Sequence, residues 1–392
     1  MLNSPLSPWP AYSEEEVEAT ARVLRSGRVN YWTGEECRQF EREFAAWTST
    51  AHAVALANGT LALDVALQAL GIGPGDEVVV TPRTFIASAS CVVNAGAVPV
   101  FADVEPDSGN ISARTIERVL TPRTRAVICV HLAGWPCDMD PIMALAEAHG
   151  LKVIEDCAQA HGGRYRGRAV GSIGHVGAWS FCQDKIMTTG GEGGMVTTDD
   201  RELWSAMWSF KDHGKSWEAV YERQHPPGYR WLHESFGTNW RMLEMQGAIG
   251  RIQLARMAEW TARRTAIARR LAEVTRRFPD ALRTPLPDGG DTHAFYRFYA
   301  YVRPEGLAAG WDRDRIVAEL GELGTPAFQG SCSEVYLERA FEGTGWRPTE
   351  RLPVARELGE TSLMFLTHPT ITDAELDRVA GALETVLRRA TR

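Results

Sequence analysis

Between Ala53 and Asp200 the chain alternates short, nearly continuous apolar runs with longer segments whose apolar residues recur at helical spacing. The short runs are "AVAL" (53–56), "DEVVVTP" (76–82), "VPVFADV" (98–104), "RAVICVHLAG" (125–134), "KVIEDCA" (152–158), "GAWSF" (177–181) and "GGMVTTD" (193–199). Between the first five lie helix-like segments such as "GTLALDVALQALG", "TFIASASCVVNAG" and "DPIMALAEAHG". Strand and helix repeated in this way predict an α/β fold, a mainly parallel sheet with helices on both faces. Runs with so few polar residues fit strands buried on both sides.

After residue 200 the texture changes. "RMLEMQGAIGRIQLARMAEWTARRTAIARRLAEVTRRF" (241–278) has apolar residues at helical spacing and then many arginines. It predicts one long amphipathic helix with a solvated arginine face. "LPDGGDTHAF" has the turn residues of a linker. Beyond it "FYRFYAYVRP", "DRIVAELGELG" and "ELDRVAGALETVLRRA" suggest a smaller α+β unit. The expected division is a large domain over 1–250, including the N-terminal segment, and a smaller one over 251–392 that opens with the long helix.

Composition narrows the class. The chain has 392 residues, 44% of them hydrophobic and 23% charged, as in an ordinary globular protein. A formal charge of −8 leaves no basic footprint for nucleic acid. No apolar run is long enough for a membrane span, and the N-terminus has neither a basic start nor an apolar signal core. A cytoplasmic location is expected. The seven cysteines, Cys37, Cys91, Cys129, Cys137, Cys157, Cys182 and Cys332, are odd in number and form no CxxC pair. They read as reduced thiols, and the ten histidines show no HxxxH or HExxH spacing, so no metal is expected.

Four pieces carry candidate chemistry. "GIGPGDEV" (71–78) precedes a strand rather than following one, so it reads as a helix cap and turn, not a dinucleotide loop. In "ANGTLALDVAL" (57–67), Asn58, Gly59 and Thr60 follow a strand and open a helix, where backbone N–H groups can hold a phosphate. An ordinary cap by Asn58 or Thr60 explains it equally well. "VIEDCAQAHGG" (153–163) puts Glu155 and Asp156 at the end of an apolar strand, where open α/β sheets keep their ligands. A strand-end cap or ion pair is the competing account. "SFCQDKIMTTGGEGG" places Lys185 ahead of four glycines. A helix start for a phosphate, a strand-end carboxylate and an isolated lysine are together the parts that pyridoxal phosphate (PLP) needs.

These motifs make the chain resemble the DegT/DnrJ/StrS family of PLP-dependent sugar aminotransferases, within fold type I of the aspartate aminotransferase superfamily. The resemblance runs from "LRSGRVNYWTGEECRQFEREFA" (24–45) through "NGTLAL", "TFIASAS", "EDCAQAHGG" and "SFCQDKIMTTGGEGG" to "FGTNWRMLEMQGAIGRIQL". It implies a mainly parallel seven-stranded sheet flanked by helices, with a smaller α+β C-terminal domain. Lys185 would form the Schiff base and move the proton. Asp156 would pair with the pyridinium nitrogen, Gln159 would bond the ring's phenolic oxygen and Phe85 would stack on the ring. Ser180 and the Gly59–Thr60–Leu61 turn would hold the phosphate. Asn239 resembles the family asparagine that reaches the phosphate of the neighbouring subunit, which implies a homodimer with shared sites. Tyr31, Trp32, Lys211 and Arg241 are expected as substrate contacts, with Arg230 a weaker candidate.

The function implied is transfer of an amine from an amino acid, L-glutamate in the first place, to a nucleotide-linked keto sugar. The alternatives are a dehydratase or a carbocycle aminotransferase of the same family, or a regulatory member without turnover. The presence of Lys185 favours transamination over dehydration, and Lys185, Asp156 and Gln159 together argue against a silent member. The chain departs from the usual pattern at His175, at the extra glycine in "TTGGEGG", at "TSLMFLTHPTIT" and at "FQGSCSEVYLERAF" (328–341).

Overall fold

A computed structural model describes residues 5–391. Residues 1–4, at the expected absence of a basic start, and residue 392 lie outside the described residues. All seven apolar runs form strands. In chain order they are β1 (His52–Leu56), β2 (Glu77–Val80), β3 (Val98–Phe101), β4 (Thr124–Val130) and β5 (Lys152–Asp156). A small hairpin of β6 (Arg164–Tyr165) and β7 (Arg168–Ala169) intervenes, then β8 (Val176–Ser180) and β9 (Gly194–Thr198) complete the set. The sheet order is β1-β9-β8-β5-β4-β2-β3. β9 runs antiparallel to both its neighbours, and the remaining pairings are parallel.

Side-chain alternation explains why these strands carry so few polar residues. Val78, Val80, Ala126, Ile128 and Ile154 enter one core, while Val79, Val127, Cys129 and Val153 enter a second on the opposite face. Both faces are covered, so both sets of alternating positions must be apolar. The runs extend beyond the strands at their carboxyl ends. Thr81–Thr84, His131–Gly134 and Cys157–Ala158 leave the sheet there to build loops. The helix Gly59–Ala69 opens directly behind β1, and "GIGPGDEV" is the turn expected after it, with Gly71 at φ 71°.

The segment 241–278 is two helices, Glu244–Ala255 and Met257–Thr275, rather than one. They meet at Arg256, which has φ −90° and ψ −5° and whose guanidinium is bonded to Ser13, Glu15 and Glu16. The boundary expected near residue 250 falls inside the first of them. Its arginines are not all solvated. Arg264 is buried, its guanidinium carbon 5.4 Å from the Trp9 ring centroid, and burial together with Arg297 lowers its pKa to about 9.

The C-terminal region holds a second, antiparallel sheet. Its strands are β10 (Leu282–Arg283), β11 (Arg297–Val302), β12 (Ala327–Phe328) and β13 (Ser362–Leu366), in the order β10-β11-β13-β12. The unusual "TSLMFL" is thus a core strand. Leu6 belongs to this sheet's core, so the N-terminal segment straps onto the C-terminal unit. Among the described residues no helix is long and apolar enough to cross a membrane. All seven cysteines are free thiols; Cys332 is exposed and Cys182 half-buried, and the others are buried.

Candidate active site

The carboxyl edge of the large sheet opens into a cavity of about 560 Å³. β5 delivers Asp156 as its last residue, β8 delivers Ser180, and the helix behind β1 delivers Gly59, Thr60 and Leu61. Phe85, Gln159 and Lys185 line the same space. Eight of the nine residues expected at the cofactor therefore converge although they come from four separate segments.

The helix start serves both readings at once. Asn58 is in the extended region and its side chain accepts from Leu61 N–H at 3.0 Å, an N-cap bond. The N–H groups of Gly59 and Thr60 precede the first intrahelical bond, so no carbonyl of their own helix can accept from them. They open on the cavity together with the positive end of the helix dipole. A Cβ on Gly59 would collide with Ser180, lying 2.9 Å from its Cα and its Oγ. Glycine therefore allows the helix start to sit against the serine hydroxyl, and the two form one cradle for an anion.

Opposite the cradle stand the ionisable groups. Asp156 Oδ2 accepts from Ser88 Oγ at 2.8 Å and Oδ1 from Ala158 N–H at 3.1 Å. Burial raises its pKa, and these bonds with the nearby Lys185 only partly offset that. Gln159 Oε1 accepts from Ala133 N–H at 2.7 Å, which leaves the amide nitrogen as the group able to donate into the cavity. Burial pulls the Lys185 amine down, but Tyr296, Asp184 and Asp156 outweigh it and hold the amine above the ordinary lysine value. The Trp9 indole N–H donates to Lys185 O at 2.9 Å and fixes its backbone.

Glu155 points to the other face of the sheet, as strand alternation requires. It accepts from Gly171, Ile173 and Gly174 N–H and pairs with His131 Nε2 at 2.9 Å. His131, Glu155 and Cys157 bring ligand-type atoms within 4.8 Å of one another. His131 Nδ1 accepts from Cys137 N–H at 2.9 Å, so both imidazole nitrogens and the carboxylate are already used by protein groups.

The expected substrate contacts are not brought to this cavity. Tyr31 and Lys211 are buried core residues, with Tyr31 Oη bonded to Glu41 and Trp208 and Lys211 Nζ 3.3 Å from the Tyr31 ring centroid. Charge and aromaticity suggested ligand binding, but the local sequence does not reveal their depth. Trp32 packs on Tyr221 and Trp208, Arg241 pairs with Asp212 at 2.7 Å, and Arg230 is on the surface. Asn239 is exposed and forms a bridge with Asp212 outside the cavity. His175 lies at the other end of the sheet, where its Nδ1 accepts from Val153 N–H at 3.0 Å. The unusual 328–341 segment docks on the loop that carries Phe85, with Thr84 N–H donating to Cys332 O at 3.1 Å.

Sequence reasoning missed Trp9, Ser88, Asp184 and Tyr296. Asp184 adjoins Lys185 and could have been read from "QDK". Trp9 and Tyr296 approach from distant parts of the chain and leave no local signal.

The model of the DegT/DnrJ/EryC1/StrS aminotransferase family matches residues 10–384, and the chain belongs to that family. It is 38% identical over 352 residues to GDP-perosamine synthase of Caulobacter vibrioides, covering 89% of each chain. It is also 38% identical to dTDP-3-amino-3,4,6-trideoxy-alpha-D-glucose transaminase of Streptomyces venezuelae, over 95% of this chain and 93% of that one. Among solved structures it matches an aminotransferase from Psychrobacter cryohalolentis at 61% identity and a TM-score of 0.97, over 98% of this chain and 99% of the other. The chain is an aminotransferase of fold type I, and its cofactor is pyridoxal phosphate. The cradle, the buried carboxylate, the donating amide and the lysine fit that group.

Proposed function

We propose that this enzyme moves an amino group from an amino acid, L-glutamate, to a keto sugar carried on a nucleoside diphosphate. The observation that carries the reading is the convergence of Lys185, Asp156 and Gln159 on one cavity with an anion cradle. The relatives named for GDP- and dTDP-linked sugars support the acceptor class. Bound pyridoxal phosphate supplies an aldehyde for the Schiff base with Lys185 and a ring that takes up electrons from the reacting carbon. Gly59, Thr60, Leu61 and Ser180 bind the phosphate, and Phe85, 68% exposed over the cavity, covers the ring. Asp156 holds a proton on the ring nitrogen, and Gln159 donates to the phenolic oxygen. Lys185, once released by the donor, would move a proton between the substrate carbon and the cofactor carbon in each half-reaction.

We infer further that two copies share their sites. Asn239 does not line its own chain's cavity and sits in a segment that exposes Trp231 by 81% and Phe236 by 100%. Large exposed aromatic groups of this kind mark an interface, and a second copy seated there brings Asn239 to the partner's phosphate. The free thiols support a reducing, cytoplasmic setting.

The test is a panel of nucleotide-linked 4-keto and 3-keto sugars with glutamate or glutamine, read by product mass. An amine product from a sugar nucleotide is the expected result. Amination of a carbocyclic ketone alone would refute the acceptor class and leave the aminotransferase intact.

A further inference from the structure

Asp184 and Lys185 are neighbours in sequence, yet both line the cofactor cavity. The turn that closes with Lys185 N–H on Cys182 O at 3.0 Å brings Asp184 Oδ1 to 3.9 Å from Lys185 Nζ. The C-terminal unit fixes the other oxygen of the carboxylate. The Tyr296 hydroxyl donates to Oδ2, and Arg297 Nη2 stands 3.9 Å from the same atom. Arg297 is itself held over the Tyr296 ring at 4.0 Å, and its Nη1 donates to Tyr296 O at 2.8 Å.

We propose that Asp184, held by the Tyr296 hydroxyl, is a positioning residue for Lys185, aiming the freed amine into the cavity and stabilising the ammonium it becomes on taking up a proton. The inference rests on the role given to Lys185 above. The freed amine takes up a proton as a neutral base, and until it delivers that proton it must exist as an ammonium in a buried site. Burial opposes that charge, and a carboxylate within 4 Å restores it. Asp184 stays ionised in turn. Burial pushes its carboxyl up, but Lys185, Tyr296 and Arg297 together hold it below the usual value. Burial also raises the Tyr296 hydroxyl, so it remains a donor. The other groups that face the amine are Asp156, Cys182 and the buried His161, with Arg264 acting on His161 from behind. Asp156 is committed to the ring nitrogen when cofactor is bound, which leaves Asp184 as the carboxylate that serves the lysine.

The experiment uses the full chain loaded with pyridoxamine phosphate, in which Lys185 is free whichever amino donor the enzyme uses. Trace acetylation across pH 6 to 11, read at Lys185 by peptide mass, reports the fraction of neutral amine. Asp184→Asn should lower the midpoint by about 1 pH unit, the scale for losing an opposite charge at this range. Asp184→Glu should restore it. Arg297→Gln should move the midpoint upward, because it removes a cation that competes for the same carboxylate. Opposite shifts separate the electrostatic role from a general loosening, which would move both variants the same way. An unchanged midpoint in either Asp184→Asn or Arg297→Gln, or shifts of the same sign, overturns the proposal. Failure of glutamate as donor would bear on the function alone, because the loading does not depend on it.

Discussion

Asp156 accepts one hydrogen bond on each carboxylate oxygen, yet burial still raises its pKa, so the cavity asks for a positive partner. A protonated ring nitrogen is such a partner. Asp156→Asn should leave the cofactor bound through Lys185 and the cradle while slowing both half-reactions by about a hundredfold or more. Single-turnover rates measure this directly; unchanged rates would reduce Asp156 to a strand-end cap. The places of Asp156 and Lys185 could be read because each sits in a short motif whose neighbours fix its location at a strand end or turn. Tyr31 and Lys211 could not be placed in the same way. A buried lysine over a tyrosine ring has the same local sequence as one in a binding site, and only tertiary packing separates the two.

At the scale of elements, the seven strands were legible because burial on two faces forces an almost unbroken apolar run. The same rule blurred their carboxyl ends, where apolar residues continue into the loops that build the site. The division of 241–278 at Arg256 was hidden because both helices keep apolar residues at helical spacing, and the break is set by partners more than 200 residues away. The helix Gly59–Ala69 carries the clearest consequence of an element's placement. Its first residue touches Ser180 so closely that a methyl group has no room. Gly59→Ala must push the helix start away from β8 and open the cradle. The expected outcome is weakened affinity for pyridoxal phosphate, with Asp156 and Lys185 left in place, and excess cofactor should recover much of the activity. Titration of the Schiff-base absorbance with added cofactor checks this, and an unchanged affinity would show that the phosphate does not lie there.

For the whole molecule, the decisive question is whether one chain holds a complete site. Lys185, Asp156, Gln159 and the cradle share a cavity, but Asn239 lies on an exposed segment beside Trp231 and Phe236. If a second copy covers that aromatic surface, Asn239 of one subunit completes the phosphate site of the other. Mixed dimers then have a simple arithmetic. A Lys185→Ala chain paired with an Asn239→Ala chain places both substitutions in one of the two sites and leaves the other free of either. With subunit exchange allowed, the mixture should be more active than either parent, approaching half the wild-type activity in each mixed dimer. The comparison needs an Asn239→Ala parent that is clearly impaired and mixed dimers verified by mass. Under those conditions, a mixture no more active than its parents would mean that Asn239 serves its own chain, and the shared-site arrangement would fall.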